Sequence, residues 1–125
     1  MPVRSLTSCV LAWPSREAVE RAARSWCREA VRGRTEVQRI GYFGSYAAGT
    51  AGVGSDLDLV VIVDRTDLPF VRRALEWDTS ALPVPTDLLV YTADEWHALL
   101  QSGSRFARVL RNETRWIFVR DDAGA

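Results

Sequence analysis

Apolar residues recur along this chain in two rhythms, one helical and one alternating. Over residues 15–32, Val19, Ala22, Ala23, Trp26, Ala30 and Val31 fall at helical spacing, with Ser15 as an N-cap after Pro14 and Gly33 as a stop. The outer face sets Glu17 four residues before Arg21 and Glu20 four before Arg24, the favourable order for helix ion pairs. Arg21, Arg24, Arg28 and Arg32 read as a solvated row, with a partner-docking surface as the second reading. TEVQRIGYF then reads as a strand ending at Gly44, and residues 45–50 as a helical turn. Residues 56–63 read as a strand aliphatic enough to be buried on both faces. A helix is expected over 66–80, with Phe70, Val71, Ala74, Leu75 and Trp77 as its apolar residues and Pro69 in its first turn. A strand over 86–91 follows, then a helix capped by Thr92 with Glu95 at the capping-box position, ending near Gly103. RFARVLRNE adds a helix and TRWIFVR a closing strand. The alternation predicts an α/β fold in a single domain over 1–125, with its core over about 15–120.

Composition narrows the function. The 16 basic and 16 acidic side chains cancel, so no overall field recruits nucleic acid or an anionic membrane. Every basic residue is an arginine, which excludes lysine-dependent chemistry such as a Walker loop or a Schiff base. Cys9 and Cys27 follow no metal or redox spacing and read as reduced thiols, a single disulfide remaining open. No apolar run approaches the roughly 20 residues of a bilayer span, and the N-terminal stretch lacks a signal peptide's pattern. A cytoplasmic protein with a loose tail over 121–125 is expected.

The chemistry gathers in GYFGSYAAGTAGVGSDLDLVV, which starts at Gly41. Thr50 stands where a Walker loop needs lysine, and the glycines lead into a strand rather than into a dinucleotide-binding helix. Asp56 and Asp58 begin like a calcium loop, but the central glycine and terminal glutamate are absent. Two apart on a strand, they share a face, while Leu57 and Leu59 take the other. Two like charges entering a buried strand call for a cation, and Mg²⁺ is held by one or two carboxylates plus substrate phosphates. Gly44 and Ser45, where a strand meets a helical turn, offer N–H groups and a hydroxyl to a phosphate. Asp87, near the start of the third predicted strand, is the candidate third carboxylate. With two ions ~3.5–4 Å apart, Asp56 and Asp58 bridge both, and Asp87 holds the one nearest the acceptor hydroxyl and helps to take its proton.

Gly44-Ser45, ten residues from Tyr46 to Ser55, and Asp56-Leu57-Asp58 resemble the pattern of the minimal nucleotidyltransferases of the DNA polymerase β superfamily. SDLDLVV is similar to the family's surroundings, TDLLVY supplies Asp87 at the third position, and the likeness covers about residues 35–120. One position departs: Ala48 stands where the family often has arginine. The resemblance implies a nucleotidyltransferase fold, a mixed β-sheet flanked by helices. It implies transfer of a nucleoside monophosphate, AMP by preference, from ATP or another NTP to a hydroxyl, with Mg²⁺ or Mn²⁺ as the metal. It makes Asp56, Asp58 and Asp87 the catalytic and metal-binding residues, and Gly44, Ser45 and Ser55 the nucleotide-binding ones. Small members resemble the antitoxin of a toxin–antitoxin pair, which adenylylates a helical HEPN-type partner. A catalytically weak antitoxin that acts by binding is the alternative, and antibiotic adenylylation a further one.

Other residues have plainer readings. His97 reads as a surface or partly buried structural residue, and the five tryptophans as core or interface aromatics. Tyr42 reads as packing, Tyr46 stays open between packing and stacking on a base, and the Ser55 hydroxyl between metal support and a turn.

Overall fold

The structure, a computed structural model, describes residues 13–120. Cys9 and the 121–125 tail lie outside the described residues. Helix α1 (Arg16–Ala30) starts where expected, because the Ser15 hydroxyl accepts a hydrogen bond from the Ala18 amide at 3.0 Å. Strand β1 (Val37–Phe43), the single turn α2 (Ser45–Ala48) and strand β2 (Leu57–Val63) follow. Helix α3 (Phe70–Arg73) runs into a 3₁₀ turn (Ala74–Glu76). Strand β3 (Thr86–Thr92), helices α4 (Ala93–Gln101) and α5 (Arg105–Glu113), and strand β4 (Arg115–Val119) complete the order.

The four strands form one mixed sheet in the order β3-β2-β1-β4, with β2 and β3 parallel and β1 antiparallel to both neighbours. On one face, Val19, Ala23, Trp26 and Cys27 of α1 pack against Ile40, Tyr42, Leu57, Leu59 and Val61. On the other, Val60 and Ile62 meet Trp96 of α4 and Leu110 of α5. Each of the larger side chains so buried contributes about 1.5–3 kcal/mol. Both faces of β2 are therefore covered, which explains its unbroken aliphatic run. Gly41 lets β4 close on β1: a Cβ there would lie 2.8 Å from the Arg115 carbonyl oxygen and the Trp116 ring. The Cys27 thiol, free and buried, has its pKa pushed up to about 11, mainly by desolvation, so it is unreactive at neutral pH.

Two expectations need correcting. The helix over 66–80 contracts to the short α3 and its 3₁₀ turn, because Trp77 turns to extended backbone and buries its ring against Trp26 at 6.0 Å. Val71 and Leu75, read as apolar helix residues, are 84% and 77% exposed, and Arg73 takes the buried place between them. The paired charges on α1 do not close either. Among the described residues, Glu20 accepts from the Tyr42 hydroxyl at 3.1 Å, and the ion pair on the helix surface is Arg32 with Glu29. The capping box at Thr92 and Glu95 is present.

Candidate active site

β1 ends and β2 begins at the same edge of the sheet, and their register sets Phe43 opposite Asp58. In the parallel ladder on the other side, Asp58 lies opposite Asp87. Residues directly opposite share a face, so Phe43, Asp58 and Asp87 form one row across three strands. The period of two puts Asp58 on the face of Val60 and Ile62, beside α4 and α5, while Leu57 and Leu59 turn into the core under α1. Asp56, just ahead of β2, is exposed, as is Asp87, whereas Asp58 is half-buried. On α5, Phe106 packs edge-on to Phe43 with ring centroids 5.9 Å apart and remains 41% exposed at the rim.

Charge at this edge is one-sided. Burial, then the Asp87 charge, then the Asp56 charge push the Asp58 carboxyl above the ordinary carboxylate range. Among the described residues, the ion pairs are Arg32 with Glu29 and Arg73 with Glu95, and neither reaches these aspartates. Asp56 and Asp87 act on Asp58 through charge without the three closing up: among the described residues, no three His, Cys, Asp or Glu side chains gather as a metal cluster. Hard oxygen donors bearing uncompensated charge nonetheless fit a Mg²⁺-type ion.

Gly44 presses directly on Asp58. Its φ of 75° and ψ of −149° belong to a region essentially reserved for glycine, and a Cβ there would run into the Asp58 carboxylate. α2 starts at the next residue, with the Ala48 amide donating to the Gly44 carbonyl at 2.9 Å and the Thr50 amide to that of Ser45 at 3.0 Å. The turn carrying Gly44 and Ser45 thus lies against the half-buried carboxylate. Gly44→Ala is expected to cost about 1–3 kcal/mol of stability, read by thermal melting, from backbone strain and because Asp58 must move aside.

The other candidates separate. The Ser55 hydroxyl accepts from the Gly52 amide at 2.9 Å and closes a turn. Tyr46 is buried to 2% exposure, which settles it as packing, and Tyr42 is equally buried. His97 is exposed beside Gln101, its Nε2 3.0 Å from the amide nitrogen. Two residues that sequence reasoning passed over reach the loop: Arg16 donates to the Gly49 carbonyl at 2.5 Å, and Arg115 to that of Ala47 at 2.9 Å. Ala48, where an arginine was missed, is exposed. No local pattern marks the two arginines, since the contacts span 33 and 68 residues of chain.

A mixed four-stranded sheet with helices on both faces, carrying acidic residues on strand starts beside a Gly-Ser turn, is the architecture of the nucleotidyltransferases. The chain belongs to that family: the nucleotidyltransferase domain model matches residues 24–117. No curated protein matches the sequence. Among solved structures, the fold is similar to a Sulfolobus solfataricus protein described as a nucleotidyltransferase, at a TM-score of 0.62 and 15% identity over 85% of both chains. It is also similar to a chain of a toxin–antitoxin complex with AMP-PNP, at a TM-score of 0.56 and 24% identity over 80% of this chain and 76% of that one. A mutant of the MntA–HpeT toxin–antitoxin pair gives a TM-score of 0.55 at 22% identity over 80% and 76%. Among the described residues, no helix is long and apolar enough to cross a membrane.

Proposed function

We propose that this nucleotidyltransferase moves a nucleoside monophosphate, AMP by preference, from an NTP to a hydroxyl group of a partner protein in the cytoplasm. The observation that carries the reading is the half-buried Asp58, loaded with the charges of Asp56 and Asp87 and touched by the Gly44-Ser45 turn. In this reading, Asp56 and Asp58 would hold divalent cations, Mg²⁺ or Mn²⁺, with Asp87 on the acceptor side. When bound, such ions neutralise the triphosphate and stabilise the charge that develops during displacement. The acceptor oxygen attacks the α-phosphorus and the bond from that phosphorus to the β-phosphate oxygen breaks. Pyrophosphate leaves, and the hydroxyl proton passes to Asp87 or to solvent. Gly44 and Ser45 orient the phosphates, and Ser55 keeps the connecting loop in shape through Gly52.

A protein acceptor suits the fold. The acidic edge is built from the end of β1, the starts of β2 and β3 and one short turn, and a partner would form the opposite wall. The AMP-PNP toxin–antitoxin complex among the similar structures supports an NTP and a protein partner together, and a helical HEPN-type toxin is the partner we favour. The test is transfer of label from α-phosphate-labelled ATP, with Mg²⁺, onto proteins of the source cell's lysate. One labelled band with wild type, absent with Asp56→Asn/Asp58→Asn, is the expected result. No label from any of the four NTPs, with a partner captured equally by both forms, would replace catalysis with inhibition by binding. The alanine at position 48 is the feature that favours that second reading.

A further inference from the structure

The one-turn helix α2 sits between the two ends of the candidate site, and its last carbonyl groups have no continuing helix to satisfy them. Two arginines from distant parts of the chain take up that role. Arg16, the first residue of α1, donates from Nη1 to the Gly49 carbonyl at 2.5 Å, and Arg115, the first residue of β4, donates from Nε to the Ala47 carbonyl at 2.9 Å. Both are cations at the C-terminal end of the turn, where the peptide dipoles favour positive charge. Both come from rigid elements. Arg16 heads a fifteen-residue helix whose inner side is in the core, and Arg115 is opposite Tyr42 in the β1–β4 ladder. The turn's own bonds are few: the Ala48 amide donates to the Gly44 carbonyl, and the Gly49 and Thr50 amides both donate to that of Ser45, with Gly49 closing the end at a φ of 79°.

From this geometry we infer that Arg16 and Arg115 are positioning residues. They clamp the far end of α2 and so fix where Gly44 and Ser45 stand relative to Asp58. The inference rests on the proposed function only for its consequence, that a loosened turn binds nucleotide less well. The clamp itself is a statement about order in the turn. Among the described residues neither guanidinium is ion-paired with the aspartates, and each donates to a carbonyl at the opposite end of the turn. Asp58 is reached through the turn alone, where Gly44 abuts its carboxylate.

The experiment is hydrogen exchange on the full chain, followed at the Ala48 and Thr50 amides and, as an internal reference, at the amides of β2. Wild type is compared with Arg16→Met, Arg16→Lys and Arg16→Met/Arg115→Met, with binding of ATP and Mg²⁺ measured on each by calorimetry. Methionine keeps most of the apolar stem and removes the donors. The double variant, which loses two charged hydrogen bonds, is expected to exchange at least about tenfold faster at Ala48 and Thr50, with β2 unchanged. ATP affinity should fall by a similar factor, and Arg16→Lys should recover most of both effects through its single ammonium donor. Unchanged exchange at those two amides in the double variant would overturn the clamp. Should β2 also open in the double variant, the Arg16→Met and Arg16→Lys pair decides, because Arg16 is at an exposed helix start outside the sheet. If wild type binds no ATP, the proposed function falls while the amide comparison still judges the clamp.

Discussion

Asp58→Asn will stop nucleotide transfer and, in the same molecule, make the metal-free protein more stable. The loss should be at least about 10³-fold, because in the proposed function Asp58 holds divalent charge, and a neutral amide cannot replace it there. The gain in stability has the same origin. Burial and the charges of Asp87 and Asp56 raise the Asp58 pKa, so its ionised form works against the fold. A carboxyl whose folded pKa is raised favours the folded state at low pH and loses that contribution as pH climbs from its ordinary value of 3.8 through the raised one. Asparagine does not ionise, so the variant's advantage is nil in acid and emerges on the way to neutrality. Water screens a half-exposed group, which limits the increase in Tm to about 2–4 °C. Adding Mg²⁺ should raise the wild-type Tm and leave that of Asp58→Asn unmoved. A metal-free Tm that falls in the variant would show that Asp58 supports the fold and is not strained by its neighbours.

Glu95→Ala will be the most destabilising of the single substitutions considered for this fold, at about 2–3 kcal/mol, or roughly 5–10 °C in Tm. Arg73 is buried, with 9% of its side chain exposed, and its charge is met by both Glu95 oxygens at 2.5 and 3.0 Å. Its remaining bonds go to the Leu68 and Val90 carbonyls at 2.9 and 3.0 Å. Without Glu95 the guanidinium keeps only those two acceptors, and α4 loses half of its capping box because Glu95 also accepts from the Thr92 amide at 2.9 Å. Arg73 and the Thr92 amide hold the Glu95 pKa down from 4.5 to about 2. A depressed carboxyl contributes its stability above the ordinary value, so the gap between wild type and variant should stay constant above 4.5 and close as pH falls towards 2. Guanidinium titrations with Arg73→Met and with Arg73→Met/Glu95→Ala complete the cycle. The double change should cost less than Glu95→Ala, because it leaves no buried charge behind.

Much of this was legible from local pattern. The helix at Ser15, the box at Thr92 and Glu95, and the aliphatic run of β2 each carry their signal within a few residues, and the structure has all three. The place of Asp58 on the opposite side from Leu57 and Leu59 follows from strand periodicity alone. What escaped depends on contacts across the fold. The stretch over 66–80 has a helical apolar pattern, yet Trp77 finds Trp26 and Arg73 finds Glu95, and these two anchors leave Val71 and Leu75 in solvent. Tyr46 was ambiguous because only the packed core decides whether an aromatic near a loop faces in or out. Arg16 and Arg115 looked like two more arginines among 16, with nothing nearby to single them out.

The position of β4 in the sheet has a consequence for how the molecule is made. β1 and β2 are near neighbours in the chain and can pair early, bringing Gly44 up to Asp58. β4, which follows the other three described strands in the chain, adds to the far side of β1, and its Arg115 reaches the Ala47 carbonyl across 68 residues. Contacts of such separation carry a large loop-closure cost and form late. A nascent chain therefore holds the aspartates and the glycine turn before it holds the strand that steadies them. The glycine turn would then gain its support from Arg115 only as β4 docks on β1.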